Sequence, residues 1–160
     1  MSDPKASVQD LIDEGFNASQ FGSPADFDTV TTGYLAKVLK SAGLWVEQKM
    51  GAATYAALAS GTYAEDCARQ AEVGYATAEL YRRRYTFVES NASSALAKDQ
   101  AMVLTELRRR AAAALDDARY WLGEGMRASG QDDSDLYDGS GLASGVVETG
   151  RYPSLTGGAA

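Results

Sequence analysis

Residues 62–90, TYAEDCARQAEVGYATAELYRRRYTFVES, decide the fold class. Thr62 followed by Glu65 has the form of a capping box, which satisfies the orphan amides of a helix start. No proline occurs from residue 25 to residue 152, so nothing of that kind breaks the helix this box opens. The helix is predicted to run to about Ser90. Its core face is fine-grained: Ala64, Cys67, Ala68, Ala71, Gly74, Ala76 and Ala78 are small, whereas Tyr75, Leu80, Tyr81, Tyr85 and Val88 are large. Small residues let a second helix approach closely. The last helix follows an interruption at Asn91 to Ser94 and spans about Ala97 to Ala128, where Leu104, Leu107, Ala111, Ala114, Ala118 and Trp121 recur in steps of three and four. That spacing is the apolar seam of a bundle helix.

Upstream, Ser23-Pro24 places a capping hydroxyl before a proline at the first helical position, with Asp26 near the positive end of the dipole. Phe27, Val30, Tyr34, Val38, Ala42 and Trp45 then form one stripe, with Gly43 marking a bend within it. A shorter helix is predicted at about Ser7 to Glu14, capped by Ser7 with Asp10 three residues on, bearing Val8, Leu11 and Ile12 on one side and ending at Gly15. Between Gly51 and Gly61, the segment Ala52 to Ser60 reads equally as a short helix or as a packed connection carrying Tyr55 and Leu58. The expected fold is all-α: a small helical bundle of three main helices plus a short N-terminal helix, occupying residues 1–129.

From Gly130 the character changes. Seven of the last 31 residues are glycine and the stretch opens with Asp132, Asp133, Asp135 and Asp138, so residues 130–160 cannot build a core of their own. Leu136, Tyr137, Leu142, Val146, Val147, Tyr152 and Leu155 are spaced as anchors, which a Gly/Ser spacer lacks. Tyr152 precedes Pro153, which biases it to an extended conformation, and Arg151 beside it can pair with a partner carboxylate. The segment is read as an extended, Gly-rich C-terminal arm that folds on a partner.

The inventory for chemistry is thin. Cys67 is the sole cysteine of 160 residues and histidine is absent, which excludes an internal disulfide, a Cys/His zinc cluster and any scheme using a histidine base. Cys67 on the small-residue face reads as a buried, inert thiol. Asp116 and Asp117 are adjacent and point about 100° apart on a helix, so Asp116 is better taken as a partner of Arg119 than as half of a catalytic pair. Gly139-Ser140-Gly141 lacks the flanking strand and helix of a phosphate loop. No enzymatic activity and no cofactor or metal is expected. No apolar stretch approaches the roughly 18 residues of a membrane span. The opening Met1-Ser2-Asp3-Pro4-Lys5 also lacks the features of a secretory signal, so the chain is expected to stay where it is made.

The net charge of −7 is carried by the ends: residues 1–36 sum to −5, residues 37–129 to +2 and residues 130–160 to −4. An acidic total argues against a general nucleic-acid coat. Two basic triplets remain, Arg82-Arg83-Arg84 and Arg108-Arg109-Arg110. On a helix each fans across about 200° and does not make one flat patch. Glu79 is at helical spacing from Arg82 and Arg83, and Glu106 from Arg109 and Arg110. The six arginines are therefore assigned to ion pairing within the bundle and between subunits. The alternative is a cytoplasmic helical-bundle regulator that binds nucleic acid through these runs.

The run Phe27 to Tyr55, with Tyr34-Leu35-Ala36, Ala42-Gly43-Leu44-Trp45-Val46 and Met50-Gly51-Ala52-Ala53-Thr54-Tyr55, resembles the head-tail connector (adaptor, or head completion) proteins of tailed bacteriophages. So does Ala76-Thr77-Ala78-Glu79-Leu80-Tyr81-Arg82-Arg83-Arg84, followed by Phe87-Val88-Glu89-Ser90. The likeness covers roughly residues 8–128 as an order of helices. It implies a structural virion component at the head-tail junction, assembled in the host cytoplasm as a homo-oligomeric ring, commonly a dodecamer. The ring would sit beneath the portal protein, link it to a tail or stopper protein, and let DNA pass through its lumen without sequence specificity. It also implies that the C-terminal arm embraces the portal.

Overall fold

A computed structural model describes residues 3–91 and 97–136. Its α-helices are α1 (Val8–Asp13), α2 (Tyr34–Met50), α3 (Ala52–Ala57), α4 (Tyr63–Ser90) and α5 (Ala97–Ala128), with 3-10 turns at Ala18–Phe21 and Ser134–Leu136. No strand occurs among the described residues, and none of their helices is long and apolar enough to cross a membrane.

The helix starts follow local chemistry where a side chain is free to cap. The Ser7 hydroxyl accepts the Asp10 amide while the Asp10 carboxylate accepts the Ser7 amide at 2.7 Å, a closed capping box that sets α1. At α4, Thr62 accepts the Glu65 amide, and the Glu65 carboxylate reaches one residue further back to accept the Gly61 amide at 2.8 Å.

The second main helix departs from expectation. It begins at Tyr34, about ten residues beyond Ser23-Pro24. Ser23 has φ +56°, whereas a capping residue needs extended backbone, so its hydroxyl is not set to cap. Residues 24–33 instead fold into successive turns whose carbonyls cap α2: Asp26 accepts the Tyr34 amide and Phe27 the Leu35 amide, each at 3.0 Å. Phe27 is buried all the same, stacked between Phe21 and Tyr34. Val30 is not in the stripe; it stands on the outside of the loop, 75% exposed. Gly33 is the hinge of this arrangement, because a Cβ there would lie 2.3 Å from the Asp26 carbonyl oxygen and 2.5 Å from that of Thr29. Backbone atoms cannot yield as a flexible side chain can, so Gly33→Ala is expected to cost about 2 kcal/mol, read as a lowered denaturation midpoint. A midpoint equal to wild type would show that the loop is not held in this form. Gly43 does not interrupt α2, which runs through it, and its missing side chain admits Pro4, three atoms of which lie 3.2–3.3 Å from where a Cβ would be.

The open segment 52–60 resolves into α3 and a turn, with Tyr55 wholly buried. Helix α4 is the central element. Antiparallel α2 packs on one flank, where Leu35, Val38, Leu39 and Ala42 join Val73, Ala76 and Leu80 together with Val8, Leu11 and Phe16 from the N-terminal region. Antiparallel α5 packs on the other, through Ala78, Ala114 and Leu115. A second cluster, Val46, Met50, Tyr55, Ala68, Ala71, Leu122 and Met126, ties α2, α3, α4 and α5 together at the opposite end. A helix sandwiched in this way must be buried over a wide arc. The consecutive buried positions Ala71-Glu72-Val73 and Ala76-Thr77-Ala78 are the consequence.

The packed unit continues past residue 129. The Gln131 amide donates to the Met50 carbonyl at 2.7 Å, and Leu136 packs on the cluster around Val46 and Leu122. Leu136, read from sequence as a partner-binding anchor, is thus an anchor to its own bundle: a few residues beyond α5 are enough to fold back over the apolar junction at that end.

Candidate functional site

The two arginine triplets come together on the half of the α4/α5 hairpin nearer its turn, α4 contributing Arg82, Arg83 and Arg84 and α5 Arg108, Arg109 and Arg110. Helical geometry disperses each triplet as the 100° step requires. Arg83 turns toward α2, its Nε 2.9 Å from Glu79 and its guanidinium carbon 5.3 Å from the Tyr34 ring centroid. Arg109 and Arg110 both hold Glu106, each through Nε at 2.8 Å. These charge-assisted bonds pull the Glu106 carboxyl down to about 2, well below the usual carboxylate range. Arg108 lies over the Tyr85 ring at 4.6 Å and donates to its hydroxyl, and Arg110 lies 6.0 Å from the Tyr81 ring centroid. Tyrosines of α4 thus reach arginines of α5 across the hairpin.

Four of the six arginines are therefore engaged inside the subunit. Arg82 is exposed and Arg84 half-buried, and neither has an ion-pair partner among the described residues. Arg84, Glu106 and Arg110 line an open groove of about 320 Å³ together with the apolar side chains of Met102, Val103 and Leu107. Met102 is 70% exposed.

The other residues singled out from sequence are placed plainly. Cys67 is buried, and burial pushes its thiol up, away from the reactive thiolate. Asp116 meets Arg119 at 3.4 Å. Of the arm residues other than Leu136, Tyr137, Leu142, Val146, Val147, Arg151, Tyr152 and Leu155 all lie outside the described residues.

Sequence reasoning missed a buried polar centre. Glu72, wholly buried on α4, accepts the Ala6 amide through Oε2 at 2.7 Å and the Tyr55 hydroxyl through Oε1. Lys5 Nζ stands 5.2 Å over the Tyr55 ring. Burial raises the Glu72 carboxyl to about 7 despite these donors, and it pushes the Tyr55 hydroxyl well above its ordinary range. In sequence Glu72 sits three residues from Arg69, which invites a surface ion pair. Arg69 turns instead to Asp10 and Asp66. The available signal was its place between Ala71 and Val73 in a helix apolar over an unusually wide arc.

No family model, no curated protein and no solved structure matches this chain.

Proposed function

We propose that this chain is a structural virion protein, a head-tail connector subunit that assembles as a ring beneath a portal and joins it to a tail or stopper protein, with DNA passing through the ring. The observation that carries the reading is the helix order of residues 8–128, in which the connector-like stretches 27–55 and 76–90 supply α2 with its capping loop, α3 and the second half of α4. The long α4/α5 hairpin, held at close approach by small residues, supports it as a stiff strut for a subunit that transmits load without chemistry of its own. Glu79 and Glu106 offset two of the six arginine charges, which reduces the cationic surface a phosphate-binding regulator needs.

The test is copurification of the full chain with the portal protein of the genome that encodes it. The portal ring is expected to retain the chain, and retention is expected to depend on the arm. A few buried aromatic groups dominate most interfaces, so Tyr152→Ala is expected to weaken retention by about 30-fold while Ser154→Ala has little effect. Equal retention of both variants removes the anchored arm, and absence of any retention removes the connector reading.

A further inference from the structure

We propose that copies of this chain associate head to tail, the Val30 loop of one copy seating in the groove between α4 and α5 of the next. Single exposed apolar residues are ordinary on protein surfaces. Here the two most exposed large apolar side chains among the described residues are Val30 at 75% and Met102 at 70%. Val30 is the apolar member of a wholly exposed run, Asp28-Thr29-Val30-Thr31-Thr32, in the turns before α2. Met102 lines the open groove together with Val103 and Leu107.

Charge matches shape. In the loop, Asp26 is 3.6 Å from Lys37 of its own chain, whereas Asp28 has no ion-pair partner among the described residues. At the groove edge, Arg110 is held by Glu106, whereas Arg84 has no such partner among them. Seating the valine on Met102, Val103 and Leu107 leaves the Asp28 carboxylate to meet the Arg84 guanidinium, each supplying what the other's own subunit does not.

The loop and the groove lie on different flanks of α4. The loop is tied to the start of α2 by the bond from the Tyr34 amide to Asp26, and the Tyr34 ring lies under Arg83. The neighbouring Arg84 edges the groove on the α5 side. A contact between unlike patches is heterologous, and it generates a ring where the rotation from copy to copy closes. The inference rests on the ring reading for closure alone; the contact itself is a statement about this surface.

The experiment uses the full chain. Val30→Cys and Met102→Cys are prepared separately, mixed and treated with a short bismaleimide; the buried Cys67 stays silent in both. Abundant cross-linked pairs are expected in the mixture and few with either variant alone. Cross-linking no greater than with Leu44→Cys, on the outer face of α2, in place of Met102→Cys overturns the contact. Sedimentation velocity then reads association: Asp28→Arg and Arg84→Asp are each expected to weaken it about tenfold, and both together to restore it. A chain that stays monomeric at all concentrations, or a double variant no better than the singles, also overturns the proposal. Portal retention is scored apart: its loss with cross-linking intact removes the connector reading alone, and the reverse removes this interface alone.

Discussion

Replacing Glu72 with alanine is expected to destabilise the bundle by about 3 kcal/mol or more at pH 5, while glutamine at the same place is tolerated. Alanine leaves a cavity at a wholly buried site and orphans the Ala6 amide, which costs about 1–3 kcal/mol when unsatisfied, while the Tyr55 hydroxyl loses its closer acceptor. Glutamine can keep the network whole. Its carbonyl accepts the Ala6 amide, its amide donates to the Tyr55 oxygen, and the Tyr55 proton turns to the Asp3 carbonyl, 3.3 Å away. The same site sets a pH dependence. The Glu72 carboxyl titrates near 7 in the folded chain and near 4.5 unfolded, so between those values the folded state holds the extra proton. Stability is thus fully present below about pH 4.5 and falls as pH rises to about 7, by roughly 3 kcal/mol at about 1.4 kcal/mol per unit. The Glu106 carboxyl moves the other way, but its window lies between about 2 and 4.5, clear of this one. Denaturant titrations from pH 5 to pH 8 should show a falling midpoint for the wild type and a flat one for Glu72→Gln. A wild-type curve as flat as that of the glutamine variant would show that Glu72 is not held in this environment.

The second large effect is expected at Gly74, where the backbones of α4 and α5 approach closely. A Cβ there would lie 3.0–3.1 Å from the Ala114 carbonyl oxygen and from the amide nitrogen and Cα of Ala118, all backbone atoms. A second close point, Gly125 against Cys67, lies further along the same interface at 3.2 Å. Gly74→Leu has to separate the helices, and because both points belong to one interface, the strain is not relieved locally. The expected loss is about 3 kcal/mol, after roughly 1 kcal/mol gained from replacing glycine within a helix. Gly74→Ala asks only for a shift of a few tenths of an ångström and is expected to lie within about 1 kcal/mol of wild type. Thermal denaturation of the two variants side by side decides it. A leucine variant as stable as the alanine one would mean that the helices are not this close.

The buried carboxylate and the close-packed glycine explain why α4 was so readable as a helix and so poorly readable as a surface. Its start was local: Thr62 and Glu65 supply the capping groups within four residues of chain. Its faces were not. With α2 on one flank and α5 on the other, buried positions follow each other directly, and Glu72 among them looks in sequence like the partner of Arg69. The arginine triplets show the same division. Pairs at helical spacing, Glu79 with Arg83 and Glu106 with Arg109 and Arg110, follow from sequence separation alone. The contacts of Arg108 with Tyr85 and of Arg83 with Tyr34 depend on where neighbouring helices lie.

By itself the sequence determined an all-α chain, the N-caps at Ser7 and Thr62, the small-residue face of α4, and the burial of Cys67. Those properties reside in short-range chemistry: caps, side-chain period and side-chain size act over one or two helical turns. Only the tertiary structure decided that α2 starts at Tyr34, that Val30 stands outside while Phe27 is buried, that Leu136 returns to the bundle, and that Glu72 anchors the N-terminal segment. Each of these is fixed by a partner distant in the chain or by a folded loop: carbonyls of turns in place of a serine cap, an apolar junction within reach of the residues after α5, and an amide 66 residues from the carboxylate that accepts it. Local propensity sees one side of such contacts, and the energy that fixes them appears only when both sides are assembled.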